Sequence, residues 1–410
     1  MKFETYVASR FRKSYTYKNT VSSPIIKISV FSIIIGIVMM IISVSSSVGL
    51  QKTIETKISS FFGHISISNF ENNTSFSSIS PISLSLDYKK LHNNSEIIHI
   101  QNVAYKSGLI VNKNSFEGVV FKGISSDFNW SSFSKYIRKG KIMTINETVS
   151  NQVIISEYLS KKLSLDLNDK FKATFFKPNS TSIPNERIFE VSGIFSSGLI
   201  EFDETYFIGD IKHIQKMNKW NSNQFGNVEI FLKNYSQLEK VSNQLYKKTS
   251  AEINVLSIVN RFPEIFNWMA LFDINVLLII IIMILVGGIN MITALLVTVL
   301  EKTSIIGVLK TLGSSNKSMR TIFLINGAYL ISLGLVIGNF IALGLIFIQN
   351  YTGFIKLDPD TYYVSELPFD FNLMTLLILN ISVLLFCFTM LIIPSFIISK
   401  ISPSESIKIK

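Results

Sequence analysis

The sequence predicts an α-helical membrane domain of four transmembrane helices, in a one-plus-three arrangement, with a large α+β domain of two subdomains inserted outside the bilayer. The first observation behind this is four long apolar segments, at 28–50, 274–300, 322–348 and 373–398, the first separated from the rest by a long polar block. A helix rising about 1.5 Å per residue needs about 20 apolar residues to cross a hydrocarbon core about 30 Å thick. All four segments are long enough, and none carries Lys, Arg, Asp or Glu in its interior. In lipid their backbone groups are satisfied only as helices. The second observation is the placement of charge. Lys2, Arg10, Arg12, Lys13, Lys18 and Lys27 precede the first segment against the single acid Glu4, and Lys302, Lys310, Lys317 and Arg320 lie between the second and third. Lys400, Lys408 and Lys410 follow the fourth, whereas the loop before it sets Lys356 against Asp358, Asp360, Glu366 and Asp370. Basic residues beside span ends stay in the cytoplasm. Both termini and the second–third loop are therefore expected inside, and the polar block outside.

The expected organisation follows in order. Residues 1–27 form a cytoplasmic segment and 28–50 the first span. The extracytoplasmic domain covers 51–266, with one part at 51–97 plus 225–266 beside the membrane and a mainly β part at 98–224. Residues 267–410 hold the remaining spans and a short helix at 301–313. Within the outer domain His64-Ile65-Ser66-Ile67-Ser68 alternates as a strand does, and 87–94 reads as a helix. Strands are expected at 103–111 and 116–124, then 153–155 leading into a helix at 157–163. Asn168-Asp169 turns the chain into a strand at 170–176, and a loop with Pro178 and Pro184 leads to another at 187–195. A strand at 228–232, a helix at 236–248 capped by Ser236 and a strand at 253–259 complete it.

Several classes of function are disfavoured. The formal charge of +11 is accounted for by cytoplasmic flanks facing anionic headgroups, and no basic stripe is interleaved with aromatics, so nucleic acid is not an expected partner. The first apolar run exceeds the 7–15 residues or so of a signal-peptide core, which favours a retained anchor. Cys387 is the only cysteine, so no intrachain disulfide supports the outer domain. The nearest string to a phosphate-binding loop, Gly313 to Ser318, lacks the glycine before Lys317 and follows no strand. His64, His92, His99 and His213 are scattered without metal-ligand spacing, and no catalytic residues or cofactor are expected in this chain.

From end to end the chain resembles the LolC/LolE-type permeases of the lipoprotein-releasing ABC transporter, in the wider MacB/FtsX-like superfamily. The matching stretches begin with Tyr6-Val7-Ala8-Ser9-Arg10-Phe11, ISVFSIIIGIVMMIISVSSSVGLQKTIETKI and Gly63-His64-Ile65. FEGVVFKGI follows, then Gly193-Ile194-Phe195-Ser196-Ser197-Gly198-Leu199-Ile200-Glu201-Phe202-Asp203. The last are INMITALLVTVLEK with Gly307-Val308-Leu309-Lys310-Thr311-Leu312-Gly313, Ile393-Pro394-Ser395 and the stretch from Lys400 to Ser406. The resemblance implies a bacterial inner-membrane subunit with a periplasmic domain, two copies of a soluble ATPase that bind ATP and Mg, and a second permease copy or paralogue. It implies lipoproteins as substrate, extracted from the membrane and passed to a periplasmic chaperone. Alternatives within the superfamily are a MacB-like mechanotransmission permease and an FtsX-like signalling permease that activates a cell-wall hydrolase.

The short helix at 301–313 is where coupling is expected. Ile305, Ile306, Val308, Leu309 and Leu312 make an apolar stripe, Gly313 stops the helix, and Glu301 and Lys302 precede it. Such a helix either rests on the membrane surface or, as the resemblance implies, docks into a groove of the ATPase. Relatives often carry a carboxylate where Ile305 stands. The hairpin over 170–195 matches the position of a chaperone hook in LolC-type subunits, with Pro184, Glu186 and Arg187 at its base; an ordinary exposed hairpin is the alternative. Met39, Met40, Met283 and Met291 offer adaptable surfaces for acyl chains, with lipid or helix packing as the alternative.

Overall fold

The computed structural model describes residues 3–14, 22–74, 77–83, 95–112, 115–176 and 184–400. They fall into two compact units, one of Met1–Gln51, Trp268–Lys356 and Glu366–Lys410, the other of Lys52–Asn267 and Leu357–Ser365.

The first unit is helical. Four helices are long and apolar enough to cross a membrane: Ser22–Phe62, Pro263–Glu301, Asn316–Thr352 and Leu373–Ser395. The first outruns the apolar segment that announces it. Beyond Leu50 its residues Ile54, Ile58, Phe61 and Phe62 recur at helical spacing and are buried in the second unit, so the amphipathic pattern continues where the purely apolar one stops. Inside the first unit, contact is made through small residues. Gly334 and Gly338 lie one helical turn apart, and a Cβ at Gly334 would stand 2.8 Å from Ile33 while one at Gly338 would overlap Ile37. A small-xxx-small pair of this kind lets two apolar helices approach closely in lipid, where burial of apolar surface drives nothing. Asn339 and Asn380 exchange side-chain hydrogen bonds of 2.6 and 3.0 Å, and Asn290 donates to Ser32 at 2.7 Å. The helix Phe3–Ser14 lies against this bundle, its Ala8 and Phe11 buried and Phe11 tilted against Phe323 with ring centroids 5.8 Å apart.

The second unit is built on strands β1 (Ile65–Asn69), β2 (Ile82–Ser83), β3 (Ile97–Asn112), β4 (Ser115–Ile124), β5 (Ile137–Gly140) and β6 (Gln152–Ser156). They continue with β7 (Lys170–Phe175), β8 (Asn185–Phe195), β9 (Tyr206–Asp210), β10 (Gln224–Phe225), β11 (Asn227–Leu232) and β12 (Ile253–Ser257). Ten of these form one sheet in the order β12-β1-β11-β3-β4-β9-β6-β8-β5, with β7 bridging β3 and β8. The expected division between the flanking and middle segments does not interrupt it. β3 is 16 residues long; its start pairs with β11 and its far end with β7. One strand thus pairs with strands of both expected parts. Phe121, Phe171, Phe175, Phe189 and Phe207 fill the core beneath, with Phe121 stacked on Phe207 at 4.8 Å.

Two local expectations change, and a third is not reached. The strand expected at 253–259 ends at Ser257, whose hydroxyl accepts from the Asn260 N–H at 3.2 Å and starts the short helix Ile258–Arg261. The helix expected from Ser236 begins with a 3-10 turn, Tyr235–Gln237, and continues as Leu238–Lys248 without a side-chain cap. The helix expected at 87–94 lies outside the described residues.

Candidate functional site

The loop between the second and third long helices forms the expected short helix, Thr303–Thr311, directly after Glu301 ends the preceding long one. Its end is set by Gly313, at φ +96, a conformation that costs glycine nothing. The Ser314 N–H reaches back to the Leu309 carbonyl at 3.0 Å and the Gly313 N–H to that of Lys310, closing the last turn. Ser315 then caps the next helix, accepting from the Ser318 N–H at 3.1 Å.

The apolar stripe divides into two faces. Ile306 is fully buried and Leu309 packs half-buried on the same helical core. Ile305, Val308 and Leu312 point away, at 43%, 47% and 77% exposure. Leu309 therefore anchors the helix to its own unit and does not share the face of Leu312, a correction to the single stripe read from sequence. Positions 305, 308 and 312 are spaced i, i+3, i+7, so they form one line of aliphatic side chains without a partner among the described residues. Glu301 and Lys302 pair with each other at 3.0 Å and are largely covered. Below, Lys310 donates to the Ile398 carbonyl at 2.9 Å and the Arg320 guanidinium sits 3.7 Å from the Phe396 ring centroid. Lys310 thus ties the short helix to the segment Ile397–Lys400 that follows the fourth long helix, and Arg320 ties the third long helix to Phe396 just before that segment.

Other expected sites separate. Met40 and Met291 are buried in the helical core, Met283 is half-buried against it, and Met39 is exposed. Core packing places the two buried methionines, and the four differ in burial. In the hairpin β7–β8, Pro184 and Glu186 are exposed; Glu186 pairs with Lys172 at 2.7 Å, and Arg187 donates to the Glu186 carbonyl at 2.8 Å. Residues 177–183, with Pro178 and Ile183, lie outside the described residues.

A third arrangement has no counterpart in the sequence reading. Lys122 of β4 and Glu229 of β11 are 1% and 0% exposed and meet at 2.8 Å. Both Glu229 oxygens accept from Lys122; one also accepts from the Tyr105 hydroxyl and the other from Gln101 Nε2 at 2.6 Å. Lys122 further donates to the Phe61 carbonyl. Arg261 stands beside this cluster near Tyr105 and Tyr206, with its guanidinium 4.5 Å from the Phe62 ring centroid and 5.3 Å from that of Tyr105. Burial pushes the Lys122 ammonium below its usual pKa, and Glu229 opposes that fall. Burial, aided by Glu229, raises Tyr105 well above the phenol value, and burial also raises Tyr206. The alternation of NVEIFL places Glu229 opposite Val228 and Ile230, a signal that could have marked it. Its partner is too distant in sequence for that signal to reveal.

Comparison with known proteins accords with this architecture. The family model of the MacB-like periplasmic core domain matches residues 28–248, and that of the FtsX-like permease C-terminal matches 277–403. The lipoprotein-releasing system transmembrane protein LolC of Buchnera aphidicola subsp. Schizaphis graminum is 28% identical over 93% of this chain and 92% of its own length. LolE of Haemophilus influenzae is 22% identical over 98% of each. Among solved structures, the periplasmic region of MacB from Actinobacillus actinomycetemcomitans has 16% identity, covering 50% of this chain and 92% of that one at a TM-score of 0.33. Since its match takes in more than half of the sequence, the chain belongs to the MacB-like periplasmic core domain family, carrying an FtsX-like permease C-terminal part after that domain.

Proposed function

We propose that this chain is a transmembrane permease subunit of an ABC transporter that extracts lipoproteins from the inner membrane. The supporting observation is its resemblance to LolC and LolE across more than nine-tenths of both chains. Both termini are cytoplasmic in this reading and the sheet-bearing unit is periplasmic, with its flanking and middle segments acting as two parts around one sheet. A soluble ATPase binds ATP and Mg; this chain supplies the docking face made by Ile305, Val308 and Leu312, with Glu301, Lys302 and Gly313 shaping it. ATP-driven closure of two ATPases displaces the paired short helices, and the contact of Lys310 with Ile398, beside that of Arg320 with Phe396, carries the movement into the long helices. Acyl chains enter between two permeases, and Met39 is the methionine placed to meet them. The released lipoprotein passes to a chaperone recruited at Pro184, Glu186 and Arg187.

A MacB-like mechanotransmission role is the second reading, favoured by the match of the periplasmic core domain itself. The two separate on cargo. When the complex is purified with its ATPase held in a hydrolysis-deficient state, mass spectrometry should find a lipoprotein carrying its acyl chains bound to the permease. ATP turnover by the active complex should release it from proteoliposomes. A complex that hydrolyses ATP yet never carries or releases an acylated protein would overturn the lipoprotein reading.

A further inference from the structure

The polar network described above borders a cavity of about 360 Å³, partly open to solvent and lined among the described residues by serines, asparagines and Arg261. The volume is in the range of small-molecule sites. Its wall follows from strand geometry. Ser66 and Ser68 are two apart on β1 and so project to one face, while Ile65 and Ile67 fill the other. Ser68 is paired in register with Asn227 of β11 and Ser66 with Glu229, which carries the same polar face across the sheet. Ser66 and Ser68 are each 95% buried, being 5% exposed. The Ser66 hydroxyl accepts from Asn227 Nδ2 at 3.4 Å, yet neither serine hydroxyl donates to another described group.

We propose that this cavity binds a phosphate-type oxyanion, held by Arg261 and the hydroxyls of Ser66 and Ser68. The charges nearby are unbalanced in the direction an anion would correct. Lys122 and Arg261 face a single carboxylate, Glu229, whose oxygens are already taken by Lys122, Tyr105 and Gln101. Tyr105 and Tyr206, the phenols beside Arg261, remain neutral because burial opposes their ionisation. No Asp or Glu lines the cavity among the described residues. A cation would meet Arg261 without any compensating charge. A phosphate, which accepts hydrogen bonds in several directions, would meet a guanidinium fork and serine O–H groups that lack acceptors. Orthophosphate and a phospholipid headgroup share this chemistry.

The test uses the full-length chain purified in detergent, in buffer without phosphate. Isothermal titration at constant ionic strength would be run with orthophosphate and, separately, with dihexanoylphosphatidylglycerol below its micellar concentration. Saturable binding of at least one is expected. It should weaken by about tenfold or more in the double variant Ser66→Ala/Ser68→Ala, since each hydrogen bond to an ionised group is worth more than a neutral one. That variant should melt at the wild-type temperature without ligand, and Arg261→Lys, which keeps the charge but loses the fork, should weaken binding as well. Tighter binding of the phospholipid supports the site with a headgroup as its source, and equal or tighter binding of orthophosphate supports it with a free anion. Absence of saturable binding in both arms, or unchanged affinity in the double-serine variant, would overturn the proposal.

Discussion

Replacing Glu229 with alanine should expose how much of the sheet unit rests on one buried carboxylate. The substitution removes the acceptor of both Lys122 contacts and of the Tyr105 and Gln101 hydrogen bonds. Breaking a buried ion pair from one side costs about 3–5 kcal/mol, because the surviving charge stays desolvated. Lys122 has one escape, the loss of its proton. For an amine of ordinary pKa about 10.4, that costs about 1.36 kcal/mol per pH unit, or about 4.6 kcal/mol at pH 7 and about 1.9 kcal/mol at pH 9. The sign is fixed by linkage. Burial already lowers the Lys122 pKa, and losing Glu229 removes the group that raises it, so the unfolded chain binds more protons than the folded one. The variant's stability must therefore rise with pH between the depressed folded value and the unfolded one. Thermal denaturation of the detergent-purified chain should show a midpoint lowered by about 6–20 °C at pH 7. Roughly half of that deficit should be recovered at pH 9. A deficit of the same size at both pH values, or none at pH 7, would refute the account of Lys122 as a stranded buried cation.

Three further outcomes are expected. Val308→Asp with Leu312→Asp places carboxylates on the exposed face of the short helix and should abolish copurification of the ATPase or uncouple its hydrolysis from lipoprotein release; Lys317→Ala, off that face, should leave both intact. Gly338→Ala should destabilise the helical unit by about 1–3 kcal/mol, through overlap with Ile37, in a detergent melt, whereas Gly344→Ala, with open space around its Cβ, should have no effect. Arg187→Asp should eliminate crosslinking to the periplasmic chaperone while ATPase activity of the assembled complex persists; undiminished crosslinking would leave β7–β8 a plain hairpin.

The parts legible in sequence were those governed by local rules. Uninterrupted apolar runs announced the four long helices, and Gly313 marked the end of the short one, because each depends on a few neighbouring residues. Burial side was not legible in the short helix. Ile306 and Leu309 look like Ile305 and Val308 in composition, and the core that covers the first two comes from distant helices. The sheet shows the same limit. Alternation exposed β1, β3, β4 and β11 one by one, but not the partnership of Lys122 with Glu229, which arises only after β4 and β11 have both paired with β3. Propensity also missed the 3-10 entry at Tyr235–Gln237, where the backbone closes a turn without help from a serine side chain.

The outward row Ile305, Val308 and Leu312 also bears on how much of this protein a cell can hold. If the row is the docking face proposed above, a chain synthesised without its ATPase displays it to water, a surface that chaperones and proteases engage before a correct partner arrives. On the proposed docking role, orphan copies are marked for removal by the same side chains that would complete the assembly. Raising expression of this gene alone should shorten the half-life of the surplus, and coexpression of the ATPase should restore it, so that subunit ratio is set by survival as well as by synthesis.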